Sequence, residues 1–343
     1  MGHSDSGEPR DRVIAAYGPT NGGLIDDLRR HAGPAVVATR RAVTRFVPLL
    51  RRSGPAHALQ GSLLERIDVS GYNLAGPPSL DDLQSQVVSA AQIAEPLYRE
   101  WAARIGEEPR FHRKQWEYIV ILLAAEQAGL LRPGASAIGF GVGTEPVPAA
   151  FAARGVRVVA TDRPQDERGH WSTRNEYAVN VESLVKPAIC DPSVMREVVS
   201  FRPVDMAALP EDLGRFDIVW SACALEHLGS PAVGLDFALR SLELLKPGGI
   251  AIHTTEFDLT PGPHAVDYGH CALYRLQDLN DFAARVRSRG FQIDINPYVA
   301  FEHPADRAIA PPLSLGDEQF HLKLALYDSI STSIVLVIRH PTD

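Results

Sequence analysis

The stretch Ser136-Ala-Ile-Gly-Phe-Gly-Val-Gly-Thr-Glu145 decides the fold of this chain, and Val158-Val-Ala-Thr-Asp162 follows it after a short segment rich in small residues. An apolar strand runs into three glycines at alternate positions, then into a predicted helix over 147–154 and a second strand that ends in an acid. Glycine has no Cβ, so a ligand can approach the backbone closely, and the acid can accept hydrogen bonds from ribose hydroxyls. The pattern predicts a βαβ nucleotide-binding unit. The residues predicted to contact the ligand are Gly139, Gly141, Gly143 and Asp162.

Three further motifs follow in order. Phe201–Met206 places an acid and an apolar residue after a short strand, which suits the amino group and the face of an adenine. The second motif, Arg215–His227, reads as a buried strand that ends in polar residues. The third, Leu244-Leu-Lys-Pro-Gly-Gly249, turns from a helix into another strand.

In this order the motifs resemble those of the class I S-adenosylmethionine-dependent methyltransferases, from about Leu130 to the C-terminus. The resemblance implies an α/β fold with a seven-stranded doubly wound sheet, preceded here by a helical N-terminal region. It also implies S-adenosylmethionine as the cofactor. The residues that the resemblance places at this cofactor are Gly139, Gly141, Gly143, Glu145, Asp162, Asp205, Met206 and Ser221.

One position departs from the family pattern. The family usually has an acid two residues before the first glycine, often helping to hold the cofactor's amino group, and here that residue is Ala137. Either Glu145 or the helix before the first strand takes over part of this contact. On that helix, Arg113, Lys114 or Trp116 could contact cofactor or substrate, or the helix packs on the sheet with its charges in water.

The end of the chain supports the same fold. We predict a helix over 276–290, a strand over 291–295 and a final strand over 329–338 that inserts antiparallel. A dinucleotide dehydrogenase would instead continue with parallel βα units.

The candidate catalytic residues follow the fourth and fifth strands. Methyl transfer is an in-line displacement, and a hydroxyl nucleophile needs a base or a metal to take its proton. We predict His227 as the general base, oriented by an acid such as Glu226, with His253 and Glu256 lining the acceptor pocket. Alternatively the Glu-His pair only shapes the pocket, His253 is a core histidine, and Glu256 binds a divalent metal. No fixed metal-ligand spacing is present, so the metal stays unassigned.

The expected acceptor is the hydroxyl of a sugar, a glycan or another small molecule. The segments 260–274 and 298–320 carry polar and aromatic side chains that suit a hydroxylated ligand or an aromatic natural product. The motifs are also similar to those of methyltransferases in bacterial glycan, polysaccharide or natural-product pathways. Two alternatives are a nicotinamide-dependent oxidoreductase or sugar-modifying enzyme, and a non-catalytic binding module.

Composition narrows the class of protein. With 343 residues, of which 45% are hydrophobic, the chain can bury a sizeable core. A formal charge of -8 argues against nucleic acid as a partner. The 3 scattered cysteines favour a reducing compartment, and the apolar run 119–125 is too short to cross a bilayer, so we expect a cytoplasmic enzyme.

The N-terminal part is predicted to comprise a disordered tail, residues 1–20, and a helical region, residues 21–110, before a methyltransferase domain over 111–343. The basic segment 24–52 could contact an anionic membrane surface, a partner or a second copy in a homodimer, or form a solvated helix face. Ser79 is predicted to begin a helix that Pro96 kinks or splits.

Overall fold

A computed structural model describes residues 67, 72, 75–164, 177–260, 266–267, 271–311, 319–326 and 329–342. The predictions for the tail 1–20 and the basic segment 24–52 lie outside the described residues. Within them, no helix is long and apolar enough to span a bilayer.

The strands of the described residues form one sheet. They are β1 (Ser85–Val87), β2 (Ser136–Phe140), β3 (Arg157–Asp162), β4 (Val199–Pro203), β5 (Phe216–Ala222), β6 (Leu245–Asp258), β7 (Ile295–Asn296), β8 (Ile309–Ala310), β9 (Lys323–Leu326) and β10 (Ser329–Arg339).

The α-helices alternate with these strands through most of the chain. They are α1 (Ala90–Ala94), α2 (Pro96–Arg104), α3 (Arg113–Gln127), α4 (Val147–Ala152), α5 (Pro192–Val198), α6 (Pro231–Ser241), α7 (Leu276–Ser288) and α8 (Pro304–Arg307).

The sheet has the strand order β4-β3-β2-β5-β6-β10-β1-β7. Strands β4, β3, β2, β5 and β6 are mutually parallel, and β10 runs antiparallel to β6. Without β1, this is the class I methyltransferase order, in which the last strand inserts antiparallel beside the fifth. The predicted fold class, including the antiparallel final strand, is therefore confirmed.

An additional strand separates the last two strands of that plan. β1 pairs antiparallel with β10 on one side and parallel with β7 on the other. It comes from the region predicted to be helical. The predicted helix beginning at Ser79 is therefore wrong, because the backbone of Gln86 and Val87 pairs with β10 instead of closing helical turns. The predicted break at Pro96 is confirmed, since α1 ends at Ala94 and α2 begins at Pro96.

Both faces of the sheet are covered by helices. Successive side chains of a strand point to opposite faces. Accordingly Ile252 of β6 belongs to the core under α2, α3 and α4, while its neighbour Ala251 belongs to the core under α6 and α7. α7 presents Leu279, Phe282, Ala283 and Val286 to the second core, at the spacing of a helical stripe. This doubly wound arrangement exposes the two ends of the parallel strands, and ligands bind such sheets at the carboxyl ends.

The first glycine of the loop has a packing role that can be tested. A Cβ on Gly139 would lie 2.1 Å from the indole ring of Trp220. We expect Gly139→Ala to lower the free energy of unfolding by about 1–3 kcal/mol, as overpacking does. Gly76→Ala is the matched control, because a Cβ there meets nothing within 4 Å. Denaturant unfolding measures both variants, and equal stabilities would contradict this close packing.

Candidate active site

The carboxyl ends of the parallel strands bring most of the predicted site residues to one edge of the sheet. The glycine loop follows β2, an acid ends β3, and two more polar turns follow β4 and β5. The first turn of α3 approaches the same edge. The residues that meet there are Gly141, Gly143, Glu145, Asp162, Asp205, Met206, Glu226, His227 and Glu256.

The glycine loop has a backbone that glycine alone adopts readily. Gly141 has φ +60° and Gly143 has φ +51°, both in the left-handed region. A Cβ on Gly141 would also lie 3.0 Å from Cβ of Ala224 and 3.6 Å from Sδ of Met206. The loops after β2, β4 and β5 therefore touch one another at this glycine.

Asp162 holds the glycine loop in place. Its carboxylate is buried and accepts hydrogen bonds from N–H of Gly143 at 3.1 Å, of Ala178 at 3.0 Å and of Arg163 at 2.8 Å. Asp162 thus braces the glycine loop against the end of β3.

The turn after β4 carries Asp205 and Met206. Asp205 Oδ1 accepts from N–H of Ala207 at 2.9 Å, so this carboxylate stabilises its own turn. Met206 is buried against Gly141. An apolar side chain at this point lies where the sequence predicts contact with an adenine face.

Glu145 follows the loop and lies inside the protein. Its Oε1 accepts from the indole N–H of Trp220 at 3.0 Å. Burial raises the pKa of Glu145 to about 8, although the Trp220 hydrogen bond and the Lys114 charge oppose this rise. Glu145 is therefore largely protonated at neutral pH in the ligand-free protein.

A set of ionisable side chains lies where α3 crosses the ends of β5, β6 and β10, and all of them are buried except Lys114, whose side chain is 35% exposed. We call it the buried charge cluster, and its members are Arg113, Lys114, Glu117, Cys223, Glu226 and Glu256. Arg113 Nη2 lies 2.5 Å from Glu256 Oε1, and its Nη1 lies 3.2 Å from Glu117 Oε1. Lys114 Nζ lies 3.2 Å from Glu117 Oε2. In these ion pairs the positive charges of Arg113 and Lys114 balance the negative charges of Glu117 and Glu256.

Hydroxyls of β10 complete the inner half of this cluster. Ser331 donates to Glu256, and Ser333 donates to Glu117. Burial raises the pKa of Glu117, but the charges of Lys114 and Arg113 and the hydrogen bond from Ser333 hold it below its usual value. Glu117 is accordingly ionised.

Cys223 occupies a strained position directly after β5. It is a non-glycine residue with φ +46°, and its thiol donates to Glu117 Oε2 at 3.1 Å. Its Sγ and the carboxylates of Glu226 and Glu256 lie within 4.8 Å of one another. The Arg113 guanidinium already occupies the position of a counter-ion beside Glu256, and we assign no metal to these residues.

Glu226 and His227 form the short 3₁₀ turn Leu225–His227. The Glu226 carboxylate is 1% exposed and accepts from Oγ1 of Thr255 at 2.9 Å. Burial raises the pKa of Glu226, and the nearby His227 opposes this rise. His227 follows Glu226 directly and is half-buried.

Two predicted site residues lie in the core instead. His253 is fully buried, with Nδ1 2.8 Å from Oγ of Ser221 and Nε2 3.2 Å from Oγ of Ser241. Because Ser241 donates to the carbonyl of Ala238, its oxygen accepts from Nε2–H, and neutral Nδ1 accepts from Ser221. His253 thus occupies the position of a core histidine, which was one of the two expectations for it, and Ser221 is one of its hydrogen-bond partners.

The helix before the first strand also differs from the expectation. Trp116 is fully buried, and its indole N–H donates to Oε1 of Gln92 at 2.6 Å. Arg113, one of the side chains that could have pointed into water, is instead buried in the charge cluster. Glu117 was missed by sequence reasoning. Its spacing of four from Arg113 on one helix face was the available signal.

Comparisons with known proteins found similar solved structures at low sequence identity. No model of a protein family matches the sequence, and no curated protein matches it. The chain is similar to the solved structure of the methyltransferase CcbJ from Streptomyces caelestis, with 17% identity and a TM-score of 0.36, covering 63% of this chain and 93% of that one. It is also similar to magnesium protoporphyrin IX methyltransferase from Synechocystis PCC 6803, solved with bound SAH, with 14% identity and a TM-score of 0.36, covering 71% and 98%.

A further similarity is to the glycopeptide N-methyltransferase MtfA, solved with sinefungin, with 19% identity and a TM-score of 0.29, covering 40% of this chain and 54% of that one. Similarities with identities and TM-scores this low assign no function to this protein. Its own strand order and glycine loop define the class I methyltransferase fold.

The buried His253 predicts a particular loss of stability in acid. Burial lowers its pKa to about 3, so the unfolded chain binds a proton between pH 6.5 and 3 that the folded protein does not. Stability from this residue is present above pH 6.5 and is lost as the pH falls. From pH 7 to pH 5 we expect wild type to lose about 2 kcal/mol more than His253→Gln.

Urea unfolding at each pH measures this difference. Ser221→Ala is the matched control, because it removes a partner of the ring and leaves the titrating group. It should retain the wild-type slope in acid. Parallel pH profiles for wild type and His253→Gln would contradict the assignment of a neutral core histidine.

Proposed function

We propose that this protein transfers a methyl group from S-adenosylmethionine to a hydroxyl of a sugar, a glycan or another small-molecule acceptor. The observation that carries the proposal is the convergence at Gly141. There the glycine loop, the Met206 turn and the Ala224 turn meet, beside the buried charge cluster. S-adenosylmethionine supplies an electrophilic methyl group on a sulfonium ion, and the protein's task is to orient it and to accept the proton.

The cofactor side fits residues at three strand ends. Gly141 and Gly143 have no Cβ atoms to obstruct the loop, and the carboxylate of Asp162, which ends β3, is the proposed acceptor for a ribose hydroxyl. Met206 offers an apolar face for the adenine. Asp205 is the proposed acceptor for the adenine amino group through the oxygen that does not cap its own turn.

Glu145 is our choice for the cofactor's amino group, in place of the acid that Ala137 lacks. Its carboxyl already lies within the influence of Lys114, Glu117 and Asp162. Because burial disfavours its charged form, an ammonium group bound beside it would favour ionisation and gain an ion pair.

The acceptor side is the edge beyond β5 and β6. The segment 271–274 lies over Glu226 and Glu256, since Ala272 N–H donates to the Glu226 carbonyl at 2.7 Å and Tyr274 N–H to the Glu256 carbonyl at 2.9 Å. His227 is the proposed general base, with Glu226 as the acid that orients it. Glu256, fixed by Arg113, forms the floor of this site.

The cellular setting that we propose is the cytoplasm. All three cysteines are free, as a reducing compartment allows.

Calorimetric titration with S-adenosylhomocysteine tests the cofactor. We expect micromolar binding to wild type and at least tenfold weaker binding to Asp162→Ala, a loss of about 1.4 kcal/mol, because the loop brace and the ribose contact disappear together. Asp217→Ala is the matched control. Asp217 also accepts a backbone N–H, from Ser136, but at the opposite edge of the sheet.

If wild type binds no S-adenosylhomocysteine, the proposal fails. Titration with NAD(P)H then tests the oxidoreductase alternative, and binding of neither cofactor favours the binding module.

Replacing the proposed base tests the chemistry. With an acceptor found by screening sugars and phenols for release of S-adenosylhomocysteine, His227→Gln should lower kcat by about 10²–10⁴-fold, the usual contribution of a general base. Its affinity for S-adenosylhomocysteine should match wild type. Unchanged kcat, or a loss explained by weaker cofactor binding, would contradict the role of His227.

A further inference from the structure

The buried charge cluster contains more carboxylates than cations. Arg113 contacts both Glu117 and Glu256, and Lys114 contacts Glu117. Among the described residues no such ion pair reaches Glu226, whose carboxylate is held by the neutral hydroxyl of Thr255. A buried carboxylate without a cation is costly when ionised. The nearby His227 and Lys114 reduce this cost, and a proton or a cationic ligand would reduce it further.

A second observation in the same cluster also points to a ligand. Arg113 is 7% exposed, and its buried Nε has no hydrogen-bond acceptor among the described residues. Its two other nitrogens face Glu117 and Glu256, so the guanidinium is fixed with this N–H unsatisfied. The missing group is a hydrogen-bond acceptor, and an uncharged hydroxyl oxygen suits a site that already holds several carboxylates.

The cluster adjoins the glycine loop. Ala224 lies between Cys223 and Glu226 in sequence, and its Cβ is 3.0 Å from where a Cβ of Gly141 would be. A cofactor lying over this loop would therefore have the turn that carries Glu226 beside it.

We infer that Glu226 carries the negative charge that pairs with the sulfonium of S-adenosylmethionine, and that it receives the acceptor's proton during methyl transfer. The inference rests on the proposed function and deepens it. The acceptor hydroxyl then has its oxygen near Arg113 Nε. His227 contacts the hydroxyl from the outer side and passes the proton inward to Glu226.

This arrangement keeps the charge of the site constant. Methyl transfer breaks the carbon–sulfur bond, whose electron pair stays on sulfur, and forms the carbon–oxygen bond. The positive charge on sulfur disappears and the hydroxyl loses its proton. Glu226 is ionised beside the sulfonium before the reaction and protonated beside the neutral thioether after it, so no net charge is left buried.

The surroundings of Glu226 support this exchange. Burial raises the pKa of Glu226, and the positive charge of a bound ligand would lower it again. The charged and titratable groups that influence it or are influenced by it come from α3, the end of β5, β6 and the segment that covers them. They are Arg113, Lys114, Cys223, His227, Glu256, Cys271 and Tyr274.

Proton release on cofactor binding tests the inference without an acceptor. S-adenosylmethionine and S-adenosylhomocysteine share every titratable group and differ at sulfur. Calorimetry at one pH in buffers of different ionisation enthalpy counts the protons released with each. Below the pKa of Glu226 we expect S-adenosylmethionine to release up to one more proton, and to bind at least tenfold more tightly as the pH rises. In Glu226→Gln both differences should vanish.

Further variants separate the outcomes. Asp217→Asn, a carboxylate change at the far edge of the sheet, should behave as wild type. Thr255→Val removes the hydrogen bond to ionised Glu226, so proton release should extend to higher pH; it also serves if Glu226→Gln does not fold. Equal proton counts and affinities for the two cofactors in wild type would overturn the inference, whereas no binding of either would instead overturn the proposed function.

Discussion

The ion pair between Arg113 and Glu256 is the contact on which the candidate site at the carboxyl ends of the parallel strands depends. It joins the first turn of α3 to the end of β6, and the same guanidinium also contacts Glu117 and Ser333. All four side chains are buried. Removing one partner of such a pair leaves an uncompensated buried charge and typically costs about 3–5 kcal/mol. The position of α3 across three strands is therefore set by electrostatics as well as by apolar packing.

This contact also divides the carboxylates into two kinds. Glu117 and Glu256 receive N–H and O–H donors on both sides, so a proton would have to displace existing bonds. Glu226 is next to them, but in the described part of the chain the side-chain donor to its carboxylate is the hydroxyl of Thr255. A group whose charge changes during a reaction must be able to exist in both forms. Only the less constrained carboxylate meets that condition.

Sequence reasoning succeeded where the signal is local. The left-handed glycines, the acid that ends β3 and the antiparallel final strand each depend on a few neighbouring residues or on their order along the chain. It could not decide whether Ser221 and His253 face the site or the core, because a strand alternates its faces, and which face meets α6 is decided by packing between distant elements. The ion pair between Arg113 and Glu256 was not predicted either, because the two residues are far apart in sequence.

The N-terminal region shows why an additional strand escapes a motif-based prediction. β1 has three residues, and its place is fixed by pairing with β10 rather than by its own pattern. Directly after it, Val88 N–H donates to the carbonyl of Ser333 at 3.1 Å, and the hydroxyl of Ser333 donates to Glu117. The residues from Ser85 onward thus brace the strand that lines the charge cluster. In the strand order β1 lies between β10 and β7, so it is a structural part of the sheet that carries the glycine loop.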